Sequence, residues 1–147
     1  MAWIIPLESD LLTAFSETEL ATYRAAATAS GQADPVSPTL AQVVDLVRGY
    51  VGAYKPNTLG PPGTIPQKLL APALDLASVR LPQRVGVPPK DVRAAAAQRA
   101  VRLLEQVAAG IFNIEEPLIP TSETTEAPRP TIEARRRHFT PRQEEGI

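Results

Sequence analysis

Proline divides this chain more firmly than any other residue. Sixteen of the 147 residues are proline. Each lacks an amide N–H and holds φ at about −65°, which confines it to helix starts, loops and extended segments. MAWIIP therefore reads as a short extended arm closed by Pro6. Ser9 or Asp10 can cap a short helix over DLLTAF, and Ser16 with Glu19 has the spacing of a capping box ahead of LATYRAAATA. Gly31 stops that helix and QADPVSP links it to the next. Ser37 followed by Pro38 is a good start, since proline in the first turn gives up no hydrogen bond. Behind it Leu40, Val43, Val44, Val47, Val51 and Tyr54 share one helical stripe.

The proline- and glycine-dense KPNTLGPPGTIP reads as a loop. A third long helix is predicted from about Pro66 to Leu81, with Pro72 kinking it or shortening its first turn. PQRVGVPP is another loop. PKDVRAAAAQRAVRLLEQVAAG is the clearest helix, with a stripe of Val92, Ala96, Ala100 or Arg99, Leu103 and Val107, and a stop at Gly110. Its four consecutive alanines favour helix and permit close approach of a neighbour. IFNI can supply a short strand. From Pro117 the chain is rich in proline, threonine, glutamate and arginine, and cannot bury enough apolar surface to offset its ordering entropy.

These elements predict an all-α fold: a small bundle of four or five helices with an N-terminal arm and an extended Pro/Arg-rich C-terminal tail. The organisation expected is a helical domain over 1–110 and an extended assembly arm over 111–147. The predicted core holds Val43, Val47, Val51, Leu70, Leu74, Ala77, Val92, Ala96, Leu103 and Val107.

Composition narrows the chemistry. There is no cysteine, so thiolate metal sites, disulfides and cysteine nucleophiles are excluded. The single histidine, His138, lies in the tail without a rigid shell around it. No stretch matches a phosphate-cradling glycine loop, and the adjacent pairs Glu115–Glu116 and Glu144–Glu145 read as solvated. The expectation is a protein that is not an enzyme and needs no cofactor or metal. The N-terminus lacks the basic start of a signal peptide, and no stretch is long and apolar enough to cross a bilayer.

Charge is uneven although the net charge is only −1. Residues 80–104 carry Arg80, Arg84, Lys90, Arg93, Arg99 and Arg102 against Asp91 alone. Such a run can neutralise phosphate, but no aromatic residues are interleaved for base stacking. Ion pairs, with at least some of Arg93, Arg99 and Arg102 meeting acidic residues of a neighbouring subunit, are the preferred reading. Tyr50 and Tyr54 sit one turn apart and are expected to pack at the end of their helix. Trp3 and Phe139 are large apolar residues near the termini and have the character of anchors on a partner. In TIEARRRHF, the longest proline-free run of the tail, Arg135, Arg136 and Arg137 can pair bidentately with a partner's carboxylates.

Between Leu40 and Ile114 the order of motifs resembles the Mu-like head–tail connector family of tailed bacteriophages. The residues carrying the resemblance are Asp45, Tyr50 and Tyr54, the loop KPNTLGPPGTIP, Lys68–Leu69, Asp75–Leu76–Ala77, and AVRLLEQVAAG with Leu103, Leu104, Ala108 and Gly110. The family has an arginine before the second tyrosine, where this chain has Ala53. The resemblance implies a helical adaptor that forms a homo-oligomeric ring, a dodecamer in most members, between the portal protein and a tail-side connector or tail-completion protein. DNA passes through its channel without sequence-specific binding. It also implies assembly in a bacterial cytoplasm and a final place in the virion. The tail would then be ordered by other chains, through strand addition or filled pockets. The alternative is a small helical nucleic-acid-binding regulator using residues 80–102 and Arg135–Arg137.

Overall fold

Helices placed by capping and packed by apolar stripes account for most of the computed structural model, which describes residues 2–118. Strand β1 (Trp3–Ile4) is followed by helices α1 (Glu8–Leu11), α2 (Glu17–Ala29) and α3 (Val36–Ala53). Strand β2 (Ile65–Pro66) then runs through a 3-10 turn, Gln67–Leu69, into α4 (Leu70–Arg84), and α5 (Asp91–Ala108) completes the bundle. The fold is all-α apart from the two-residue antiparallel pairing of β1 with β2, Trp3 opposite Pro66 and Ile4 opposite Ile65.

Helices α3, α4 and α5 pack against one another, with the longest contact between α4 and α5, and α1 lies against α3 and α4. Val43, Val47 and Val51 of α3, Ala73 and Leu81 of α4, and Leu104 and Val107 of α5 are buried in one cluster that also takes in Leu11, Phe15 and Leu20 from the N-terminal segment. The Phe15 and Tyr23 rings meet edge to face with centroids 5.7 Å apart, a favoured aromatic arrangement.

The capping box at Ser16 is formed. Its Oγ accepts from the Glu19 N–H and Glu19 Oε2 accepts from the Ser16 N–H, both at 3.2 Å. Gly31 and Gly110 follow α2 and α5 with φ of 75°, the left-handed conformation that ends helices at little steric expense for glycine.

Several boundaries differ from expectation. Helix α1 starts before Ser9, because Asp10 Oδ2 accepts from the Leu7 N–H at 2.8 Å and closes the turn from inside. Helix α3 starts before Ser37, because Asp34 Oδ1 accepts from the Val36 N–H at 3.0 Å. The helix expected from about Pro66 opens as a 3-10 turn over Gln67–Leu69 and becomes α-helical only at Leu70, so Pro72 falls in the first turn of α4, where no amide donor is needed. The helix instead runs through Pro82 to Arg84. There the Pro82 carbonyl accepts from Val85 and Val87.

The stripe of α5 is also rotated. Ala97, Ala100, Leu104 and Val107 are its buried residues, whereas Val92 is 79% exposed and Ala96 and Leu103 are only half-buried; Leu70, at the start of α4, is half-buried too. The reason is Arg93, which belongs to the same inward stripe: 93, 97, 100, 104 and 107 follow helical spacing. Its guanidinium is held by Glu19 and by the Ala14 carbonyl, so a charged residue fixes the helix rotation that an apolar reading placed elsewhere.

Candidate interaction surface

The loop between α3 and α4 is proline-rich, and one side chain gathers three of its carbonyls. Arg48, half-buried on α3, donates from Nη1 to the carbonyls of Pro61 at 2.9 Å and Thr64 at 2.6 Å, and from Nη2 to the carbonyl of Gly60 at 3.1 Å. Three fixed donors in a planar fork suit three converging carbonyls. The guanidinium also lies 5.8 Å from the centre of the Trp3 ring, within cation–π range. Asn57 Nδ2 donates to the Val51 carbonyl at 3.1 Å and satisfies the end of α3.

Trp3 is therefore not an outward anchor. Its ring is buried and lies over Gly60, where a Cβ would meet ring carbons at 2.7 and 2.8 Å. Its Nε1 donates to the Glu115 carbonyl at 2.9 Å. That bond ties the N-terminal strand to the segment after α5. Phe112 and Ile114 of that segment pack on the core. Residues 111–118 contain no strand, so IFNI contributes packing rather than pairing.

The basic run divides into engaged and open members. Arg93 Nη2 lies 2.9 Å from Glu19 Oε2, Lys90 Nζ lies 3.2 Å from Glu19 Oε1, and the Arg93 guanidinium stacks 4.5 Å over the Phe15 ring. The Arg93 hydrogen bond lowers the Glu19 carboxyl from 4.5 to about 2 against the opposing effect of burial, with the Ser16 amide and Lys90 assisting. Arg93 thus bridges to an acid of its own chain.

Arg99 and Arg102 are exposed and make no ion pair among the described residues. Burial pushes the Asp75 carboxyl on α4 upward, and the Arg99 charge across on α5 pulls it back. Arg135, Arg136, Arg137 and Phe139 lie outside the described residues.

Beside Arg102 an open groove of about 510 Å³ runs between α4 and α5, with Val79, Pro89, Ala94, Ala97 and Val101 along it and Glu105 one turn on from the arginine. A mainly apolar groove with charges at its rim is suited to an apolar element of another chain. The described residues also expose Ile5, Leu7, Leu12, Ile111 and Leu118 by half or more. Among the described residues no group of three or more His, Cys, Asp or Glu side chains is placed to hold a metal ion, and no helix is long and apolar enough to cross a membrane.

Arg48 was missed by sequence reasoning because it acts on groups distant in sequence and stands in no local pattern that marks it. Glu19 was read as the capping-box partner of Ser16, but its ion pairs with Lys90 and Arg93 were not. Comparison of the chain with protein-family models, curated proteins and solved structures finds no match.

Proposed function

We propose that this chain is a structural head–tail connector of a tailed bacteriophage, a subunit of a ring between portal and tail through which DNA passes. The observation that carries the reading is how the segments bearing the resemblance pack together. Tyr54, ending α3, lies against Gly110, ending α5. The proline-rich loop between them in sequence is organised by Arg48. Leu104 is buried against the same core as Leu69, Leu76 and Ala77. The open α4–α5 groove adds support, because a ring subunit needs apolar surface that its neighbour covers. In this reading Arg99 and Arg102 serve contacts between subunits, and the C-terminal tail grips the portal or an adjacent copy.

The test is reconstitution of the full chain with the portal protein of the same phage genome, followed by mass measurement and electron microscopy of the product. A symmetric ring is expected, formed alone or on the portal, with docking weakened by deletion of residues 117–147. A chain that stays monomeric in both settings overturns the proposal. Tight, salt-sensitive binding of duplex DNA by that monomer would favour the nucleic-acid-binding regulator instead.

A further inference from the structure

The N-terminal segment ahead of Arg24 carries Glu8, Asp10, Glu17 and Glu19 and no lysine or arginine. Glu19 is taken by Lys90 and Arg93. Glu8 and Asp34 share Arg24, at 2.6 and 3.2 Å. Asp10 and Glu17 make no ion pair among the described residues. Between α1 and α2 lies an open cleft of about 360 Å³, with Leu12, Leu20 and Ala21 as its apolar lining and Glu8, Glu17 and Arg24 around them. Leu12 is 50% exposed, and Glu8, Glu17 and Ala21 are exposed too, so the lining is open to a ligand from outside. One arginine shared by two carboxylates, with Glu17 beside it, leaves this neighbourhood net negative.

An apolar cleft with an acidic rim suits a segment that joins an apolar anchor to fixed positive charge. Residues 119–147 contain one run of that kind: Arg135, Arg136 and Arg137, with Phe139 two positions on. Guanidinium groups pair bidentately with carboxylates, and a buried aromatic ring supplies a large apolar contact. Other grooves suit the run less. The α4–α5 groove presents Arg102, with Arg99 one turn before it, and would repel the arginines. The cleft bordered by Ile5, Leu40 and Val44 has Asp45 as its single acid. Reach is ample. From Leu118 to Arg135 the extended chain spans up to about 55 Å, against a radius of gyration of about 13 Å for a domain of this size.

We propose that in the isolated chain the run from Arg135 to Phe139 docks in the chain's own α1–α2 cleft, with Phe139 against Leu12, Leu20 and Ala21 and the arginines on Glu17 and Glu8. Tethering favours the intramolecular source, because it holds the run at an effective concentration in the millimolar range, above that of a second copy in dilute solution. Docking in the isolated chain is independent of the connector reading, in which the tail passes to the portal or an adjacent copy.

The chain has no cysteine, so an engineered pair reports proximity without interference. The full-length A21C/T140C variant places one thiol in the cleft and the other next to Phe139. The full-length Q106C/T140C variant is the reference. Gln106 is exposed, and its carbonyl accepts from the Ile111 and Phe112 amides at the root of the C-terminal segment. A freely moving tail has no reason to prefer residue 21 over residue 106. Dilute protein is oxidised with oxidised glutathione, and the rate of disulfide closure is followed by mass spectrometry. The cleft pair is expected to close about tenfold faster than the reference. Phe139→Ala should slow the cleft pair about fivefold. R135A/R136A/R137A should slow it about threefold at low salt and less at high salt. Neither change should move the reference pair. Ser9→Cys, exposed and lining the same cleft, should repeat the result in place of Ala21→Cys. Equal closure of cleft and reference pairs overturns the proposal, as does fast closure indifferent to both Phe139→Ala and the triple arginine substitution. Linkage between two chains, at a rate that rises with protein concentration, overturns the intramolecular site and assigns the cleft to a second copy's run.

Discussion

Gly110 lies so close under the ring of Tyr54 that a Cβ at position 110 would overlap the ring carbons. Its φ of 75° is also left-handed. Gly110→Ala therefore meets two penalties, about 1 kcal/mol for the backbone and a further 1–3 kcal/mol, roughly, for the overlap. Gly31 has the same φ with open space around it, so Gly31→Ala should lose only about 1 kcal/mol. Urea denaturation of the two variants separates the effects. Adding Tyr54→Ala to Gly110→Ala should recover part of the larger loss, and equal losses at 31 and 110 would contradict the close packing.

The rotation of α5 sets a second expectation. Leu104 is fully buried while Val92 is 79% exposed. Leu104→Ala should lose about 2–5 kcal/mol, and Val92→Ala should stay within about 0.5 kcal/mol. Leu103→Ala should fall between them, since that side chain is half-buried. Thermal unfolding followed by circular dichroism decides the order.

Helix existence was legible from the capping box and Gly31 stop of α2, the early proline and apolar stripe of α3, and the alanine run and Gly110 stop of α5. What escaped depended on pairs distant in sequence. Arg93 has the spacing of Ala97, Ala100 and Leu104, but reading it as inward requires knowing that Glu19 waits 74 positions away. Trp3 stood out as an unusual residue near a terminus, and its burial under Arg48, over Gly60 and beside Glu115 could not be read from its neighbours. The starts of α1 and α3 moved because Asp10 and Asp34 cap from positions that compete with nearby serines. Of the candidate surface, the basic run was visible in sequence. Its division into engaged Arg93 and exposed Arg99 and Arg102 was not.

Arg48→Met should loosen the α3–α4 loop. The substitution removes the donors to three carbonyls and the cation over Trp3. A loss of about 2–4 kcal/mol is expected, since a hydrogen bond to a charged group contributes about 1.5–3 kcal/mol net and the three bonds share one half-buried guanidinium whose acceptors water can reach once it is gone. The single tryptophan should emit at longer wavelength and the loop should become susceptible to trypsin at Lys55. Unchanged emission and protection would refute the assignment.

The Glu19 carboxyl, held near 2 chiefly by Arg93, predicts a specific acid response. Its folded value lies below its unfolded value of about 4.5, so the stabilisation is fully present above the unfolded value. It is lost as pH falls from about 4.5 through about 2. With the pair partly exposed, the contribution is roughly 1–2 kcal/mol rather than the full value of the shift. Glu19→Gln should be less stable than the parent at pH 7, and the gap should narrow toward pH 2. A gap that stays constant across that window would mean the pair contributes nothing through its charge.

Arg102 tests the connector reading from the side of the α4–α5 groove. It is exposed, stands at the rim beside Val101 and Glu105, and makes no ion pair among the described residues. Arg102→Glu should therefore leave the isolated chain's stability within about 0.5 kcal/mol. If the groove receives a neighbouring subunit, reversing a rim charge alters the electrostatic match and slows association, with the largest effect at low salt. Mass measurement of the reconstituted assembly should show fewer complete rings at low ionic strength, with the difference shrinking as salt is added. Rings that form normally while DNA passage fails would instead place Arg102 on the channel wall. Unimpaired assembly together with unimpaired DNA passage would remove Arg102 from the function altogether.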